Sequence, residues 1–337
     1  MIGRDAITDD PNEGYGRPPK RSRPRTKDRP AHSDARPARV VAVDRGRYRC
    51  LLDADAAAAR RTVTATKART LGRAGVIVGD RVRLVGDTSG ADGTLARIVT
   101  VDDRETVLRR TADDDDPYER PVVANADQLA IVTALADPPP RPGMIDRVLV
   151  AAYDAGLAPS LLLTKADLAT PDDLTSIYEP LGVRTLVLEP GCDLGPLRAL
   201  LADRHTVLVG HSGVGKSTLV NALIPRAGRA TGEVNDVTGR GRHTSTSAVA
   251  LELPEPGGWI IDTPGVRSFG LSHVTIDSVI AAFPDLDALA DDCPRGCTHD
   301  SDAVDCAFDE AVGDGRLAPD RLDSFRRMER AWMTPEH

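Results

Sequence analysis

The sequence predicts a multidomain chain: a small OB-like β-barrel, then a doubly wound α/β domain, then a helical domain closed around a metal. Three observations predict it. Residues of about 38–112 break into short runs, several of them rich in β-branched residues, between Gly and Asp turns. The next stretch alternates apolar strands with helical periodicity, and three cysteines and a histidine crowd into residues 293–306. The expected boundaries are 1–37 for a basic tail, 38–115 for the barrel, 116–275 for the α/β domain and 276–337 for the metal-binding part.

At 337 residues the chain is long enough for separate cores. From Arg17 to Arg39 it is basic, Pro-rich and poor in apolar residues, so this tail is expected to be disordered. On a chain of net charge −8 it suits a polyanion such as RNA, or serves only to solubilise. No run of about 18 apolar residues predicts a membrane span, and the amino terminus lacks the apolar stretch of a signal peptide. A cytoplasmic monomer is the expectation.

The barrel elements come first. RVVAVDRGRYRCLLD breaks at Asp44-Arg45-Gly46, a hairpin turn. TVTATKART, VIVGDRVRLVG, TLARIVTVD and ETVLRRT follow, with no strong helix between them. Five or so such strands fit an OB-like barrel, a fold that commonly binds nucleic acid. Arg69, Arg73 and Arg81 are candidates to face RNA, or are solvated charges on exposed strand faces. Cys50 and Cys192 read as inert buried or incidental thiols, and the acidic run Asp113–Asp116 before Pro117 marks a linker.

Beyond the linker, QLAIVTAL, PSLLLTKADL, RTLVLEP, HTVLVG and GGWIIDTPG read as buried strands, and MIDRVLVAAYDAGL as a helix ending at Gly156. The strand HTVLV runs into Gly210-His211-Ser212-Gly213-Val214-Gly215-Lys216-Ser217-Thr218, the phosphate-cradling P-loop. Its glycines let backbone N–H groups face phosphate oxygens, and the helix that follows adds its positive end. Lys216 can bridge the terminal phosphates, and Ser217 can take a place on Mg²⁺. Asp262, at the end of WIID, is the expected metal-side carboxylate, with Gly265 offering an N–H to the γ-phosphate.

Thr164-Lys165-Ala166-Asp167 is similar to the Asn-Lys-x-Asp signature of guanine readers, with Thr164 in the Asn position. Asp167 can accept from guanine N1–H and the exocyclic amine, and the Lys165 stem can lie over the base. An Asn there would tether neighbouring loops, so the Thr reads as a weakening. Between P-loop and Asp262, Gly239–Ser247 reads as a switch loop. A hydroxyl from Thr244, Ser245 or Thr246 is expected on Mg²⁺; Thr244 is the candidate taken, and His243 is the candidate to orient the attacking water. Thr164–Asp167 lies about 45 residues before the P-loop rather than after it, the circularly permuted order. Finally, Cys293-x3-Cys297-x-His299-x6-Cys306 supplies three thiolates and an imidazole, a closed tetrahedral structural zinc set.

This combination resembles the ribosome small-subunit-dependent GTPase A family, over nearly everything from about residue 38 to 330. The resemblance rests on the permuted Thr164–Asp167, GHSGVGKST, GRGRHTST, DTPG and the Cys/Cys/His/Cys cluster. It implies an OB barrel, a circularly permuted GTPase domain and a zinc-binding helical domain. It also implies GTP and GDP as ligands with Mg²⁺, and binding to the 30S subunit and 16S rRNA. GTP hydrolysis would be stimulated by the subunit and coupled to release during late maturation. Departures are Thr164, Ser245, the cysteine spacing, and Glu189-Pro190-Gly191 where a second guanine-contact segment is expected. The alternatives are an RNA-binding module with a structural nucleotide site, and a permuted GTPase acting on the large subunit.

Overall fold

The computed structural model describes residues 32–53, 60–72, 75–110, 120–225, 248–254, 257–263, 271 and 273–333, the side chains of 110, 332 and 333 excepted. The basic tail through residue 31, Arg73, the acidic linker, the 239–247 switch loop with His243 and Thr244, and Gly265 lie outside the described residues.

The β-branched runs form the strands they predict. β1 (Arg36–Asp44) and β2 (Arg47–Leu52) are joined by Arg45 and Gly46, both at positive φ (44° and 82°). That is the turn whose twist matches a β-hairpin. β3 (Arg61–Lys67) pairs antiparallel with β2 and parallel with β5 (Ala96–Val101). β4 (Arg81–Gly86) pairs antiparallel with β5 and with β1, closing a five-stranded barrel. Alternate residues fill it: Val40, Cys50, Val63, Ala65, Val82, Leu84 and Ile98 are buried. Burial pushes the Cys50 thiol up to about 12, so this cysteine is a core residue.

One expected barrel strand lies elsewhere. ETVLRRT forms β6 (Val107–Arg110), which pairs with β7 (Arg120–Ala124) across the expected boundary at 115. Closure through β1–β4 leaves the barrel no open edge for a sixth strand. β1 changes partner at the irregularity after Val40: Arg36–Arg39 pair with β4, and Ala42 pairs with Val249 on β12 (Val249–Glu252). The barrel thus continues into the α/β sheet, and an Arg60–Glu252 ion pair at 2.7 Å reinforces the joint.

In that sheet β8 (Gln128–Ala134), β9 (Ala158–Thr164), β10 (Arg184–Leu188), β11 (His205–Val209) and β13 (Trp259–Asp262) run parallel, in the order β10-β9-β8-β11-β13, with β12 antiparallel at the end. Every residue of β8 is buried, as expected for a strand covered on both faces. The chain builds outward from β8 to β10, then returns to lay β11 beside β8. That reversal creates a crevice at the strand carboxyl ends, where open α/β sheets bind ligands.

Helices α1 (Pro142–Asp154), α2 (Asp172–Tyr178), α3 (Gly195–Leu201) and α4 (Lys216–Leu223) cover the sheet. The tail adds α5 (Ile276–Ile280), α6 (Pro284–Ala290), α7 (Ala307–Gly313) and α8 (Pro319–Met333). Phe283, Phe308 and Phe325 form an edge-to-face chain that joins Tyr153 of α1, so the tail shares the main core. Arg327 of α8 pairs with the buried Asp146 of α1. Among the described residues no helix is long and apolar enough to cross a membrane.

Candidate nucleotide site and metal centre

The P-loop follows β11 without a break. A Cβ on Gly210 would stand 2.3 Å from the Val132 carbonyl oxygen of β8, so only glycine fits there. Gly213 and Gly215 take left-handed φ of 85° and 91°, and Gly215 caps α4. His211 is half-buried; Ser212, Gly213, Ser217 and Thr218 are exposed at the mouth, and Val214 is buried beneath them. Lys216 folds back over the loop and its Nζ donates to the Gly210 carbonyl at 2.6 Å.

Asp262 faces the loop from the end of β13, in register with Leu208 of β11. Burial pushes its carboxyl up, offset by Lys216 and a backbone bond from Thr263; burial pulls Lys216 down, offset by Asp262. Each group therefore holds its charge at a cost. Among the described residues, Asp262 Oδ1 is buried with no hydrogen-bond partner. An orphaned carboxylate oxygen beside a lysine and an exposed Ser217 hydroxyl fits Mg²⁺, a hard cation that takes oxygen ligands. Thr263, next along, is buried and donates to the Leu208 carbonyl at 3.0 Å, pinning the strand end.

Thr164 is a correction to the reading of its sequence. Its Oγ1 lies 2.7 Å from the Val214 carbonyl of the P-loop and 3.2 Å from the Thr133 carbonyl of β8. A hydroxyl has one proton, which goes to the nearer acceptor. The threonine therefore makes the tether expected of the absent Asn. Thr164→Val keeps the shape and strands a buried acceptor, a loss of about 1–3 kcal/mol. The expected result is about tenfold or greater weakening of guanine-nucleotide binding, measured by titration, with Thr164→Ser close to wild type.

Lys165 takes positive φ (57°), and its ammonium donates to the Asp137 carbonyl. Asp167 is exposed two residues further on. Glu189-Pro190-Gly191 makes an exposed turn closed by Cys192 N–H to the Glu189 carbonyl, and Leu188 accepts from Ala166 N–H, seating the turn beside the base-reading loop. The loop Asp137–Arg141 has no sequence-level assignment, yet Pro138 lies against Gly213. With His211, Ser212 and Met144 it encloses a cavity of about 350 Å³ next to the P-loop. The signal was available: three consecutive prolines at the carboxyl end of a central strand.

The ligand atoms of Cys293, Cys297, His299 and Cys306 all lie within 4.8 Å of one another. His299 Nδ1 is 3.6 Å from Cys293 Sγ and 3.8 Å from Cys306 Sγ. A tetrahedral zinc with ordinary Zn–S and Zn–N bonds has ligand–ligand edges of about 3.5–3.8 Å, so the set fits zinc. Burial lowers His299, favouring the neutral imidazole that a metal takes. Ala307 N–H reaches Cys293 Sγ at 3.4 Å, and Arg326 Nε holds the His299 carbonyl at 2.9 Å. Such outer contacts orient metal ligands.

Sheet order, P-loop and the base-reading loop upstream of it define a circularly permuted P-loop nucleotide-binding protein. The family description RsgA GTPase matches residues 101–272. A Pseudomonas aeruginosa protein named small ribosomal subunit biogenesis GTPase RsgA is 42% identical over 218 residues, 62% of this chain and 63% of the relative. An Azotobacter vinelandii protein of the same name is 40% identical over 227 residues, 65% of each chain. The chain thus matches less than two thirds of the length of these relatives. Two crystal structures share the fold: YjeQ from Thermotoga maritima (TM-score 0.63, 23% identity, 90% of this chain and 100% of that one) and YloQ, a circularly permuted GTPase (0.62, 22%, 92% and 100%). The chain belongs to the RsgA GTPase family.

Proposed function

We propose that the chain hydrolyses GTP and uses the nucleotide state to bind and leave the 30S ribosomal subunit, contacting 16S rRNA, during late subunit maturation. The observation that carries the nucleotide half is the convergence of Lys216, the unpartnered Asp262 Oδ1 and the Thr164 tether at one crevice. The relatives' name, small ribosomal subunit biogenesis GTPase, supports the partner. Residues 38–115, 116–275 and 276–337 serve as barrel, switch domain and zinc-bound tail.

In this reading Gly210–Thr218 cradle the phosphates, Ser217, Thr244 and Asp262 serve Mg²⁺ directly or through water, Gly265 meets the γ-phosphate, and Lys165 and Asp167 read guanine. Catalysis is positioning and charge stabilisation, so slow turnover should rise when the partner orders His243. His243→Ala is expected to leave GTP binding intact and remove most of the 30S-stimulated phosphate release, a loss of about 10²-fold or more. Unchanged stimulated turnover would remove His243 from the mechanism. Sedimentation of the GTP-loaded protein with separated subunits tests the partner: co-migration with 30S is expected, and co-migration with 50S alone would overturn it.

A further inference from the structure

A second cavity lies at the end of the α/β sheet opposite the P-loop. The amino-terminal ends of β8, β9 and β10 meet the end of α3 around a volume of about 330 Å³. Thr164 of the nucleotide site is four residues further along the same strand as Ser160 of this cavity, about 13 Å away.

The lining combines cationic, polar and apolar residues. Arg184 and Arg204 stand at its rim, both exposed, with Ser160 and Gln128 deeper and Leu200 and Pro159 as walls. No carboxylate among the described residues lines it. Among the described residues neither guanidinium pairs with an acid, although the chain carries a net charge of −8. Arg184 and Ser160 are register partners on adjacent strands, so their side chains share a face. Gln128 donates from Nε2 to the Leu200 carbonyl at 2.9 Å and to Thr206 Oγ1 at 2.8 Å, which holds α3 and β11 in place around the floor.

Ser160 makes this more than a crevice. The residue is 2% exposed, and among the described residues its Oγ has no hydrogen-bond partner. Buried hydroxyls are ordinarily matched, and an unmatched one marks a missing partner. A hydroxyl at the floor and two guanidinium groups at the rim are three donor sets around one space. Such a set suits a tetrahedral oxyanion better than a two-oxygen carboxylate. The volume is at the small end for ligand sites and exceeds a bare phosphate, and the apolar wall leaves room for a compact organic group.

We infer that this cavity binds a small phosphomonoester, with the phosphate between Arg184 and Arg204 and accepting from Ser160 Oγ. The test saturates the nucleotide site with GDP and Mg²⁺, so that the P-loop is filled. Ribose 5-phosphate and, in a second arm, inorganic phosphate are then titrated calorimetrically into the full chain. The expected result is saturable binding of one ribose 5-phosphate per chain, tighter than inorganic phosphate. Arg184→Glu should weaken it by about tenfold or more and Ser160→Ala several-fold. Arg184 is exposed, so its variant keeps the test valid if the buried Ser160 variant folds poorly. The binding should persist in Lys216→Ala, which separates it from the P-loop. Equal affinity for the two probes would overturn the phosphomonoester assignment. Absence of saturable binding, or binding indifferent to both substitutions, would overturn the site.

Discussion

Lys216→Ala is expected to abolish guanine-nucleotide binding while leaving the melting temperature of the nucleotide-free protein close to wild type. The ammonium already spends one bond on the Gly210 carbonyl, across the loop it must hold open for phosphate. It is also the group that keeps the carboxyl of Asp262 from rising as far as burial alone would drive it. Removing it costs the site twice. Bound phosphate loses its bridging cation, and Asp262 shifts toward the protonated form, which is a poorer metal ligand. Charge-assisted hydrogen bonds to phosphate are worth about 1.5–3 kcal/mol each, so losing two weakens binding on the order of a thousandfold. Isothermal titration with GTP and GDP in Mg²⁺ measures this. A dissociation constant within tenfold of wild type would show that the loop holds phosphate without its lysine.

The same pair explains why the site favours a bound state. Burial works against the charge on both Lys216 and Asp262, and among the described residues Asp262 Oδ1 has no hydrogen-bond partner. A polyphosphate satisfies the cation, and its metal satisfies the anion. Groups perturbed in opposite directions in one crevice mark a candidate functional site, and the P-loop beside them supports that reading.

The P-loop fold, the strand-end position of Asp262 and the Cys/His cluster were legible because each is a local pattern set by neighbours in sequence. The permuted order was legible for the same reason: it is an order of motifs along the chain, and the sheet order β10-β9-β8-β11-β13-β12 is its three-dimensional counterpart. What was hidden depends on distant residues. Whether Thr164 can tether depends on Val214, fifty positions away, arriving 2.7 Å from its hydroxyl. That β6 leaves the barrel depends on β4 having already closed it against β1. The split partnership of β1 likewise rests on a single irregularity after Val40, which no alternation pattern reveals. Ser160 looked like any small residue in a strand; only its depth and lack of a partner distinguish it.

Removing the metal is expected to have the largest effect on stability, and to have it locally. Helices α5, α6 and α7 are only five to seven residues long, well under the length at which a helix holds itself in water. Their buried side chains Val279, Ile280, Leu286, Phe308 and Ala311 join the main core, and Phe308 stacks on His299 at 4.6 Å, so the cluster histidine is part of that core. Burial pushes the Cys306 thiol up to about 11 and raises Cys293 as well, so without a metal these two sit as neutral thiols with weak partners. A structural zinc supplies roughly 10–16 kcal/mol of apparent binding free energy in small zinc modules. Some of the tail survives its loss, because Arg321 remains paired with Asp285 and Arg327 with Asp146. The expected outcome of chelation, or of Cys306→Ser, is a loss of hydrogen-exchange protection over residues 276–313. The sheet and α1 should stay protected, and metal analysis of the untreated protein should give about one zinc per chain. A metal-free chain that keeps full protection across the tail would mean that Phe283, Phe308 and Phe325 hold it unaided, and that the four ligands are a cluster without a structural metal.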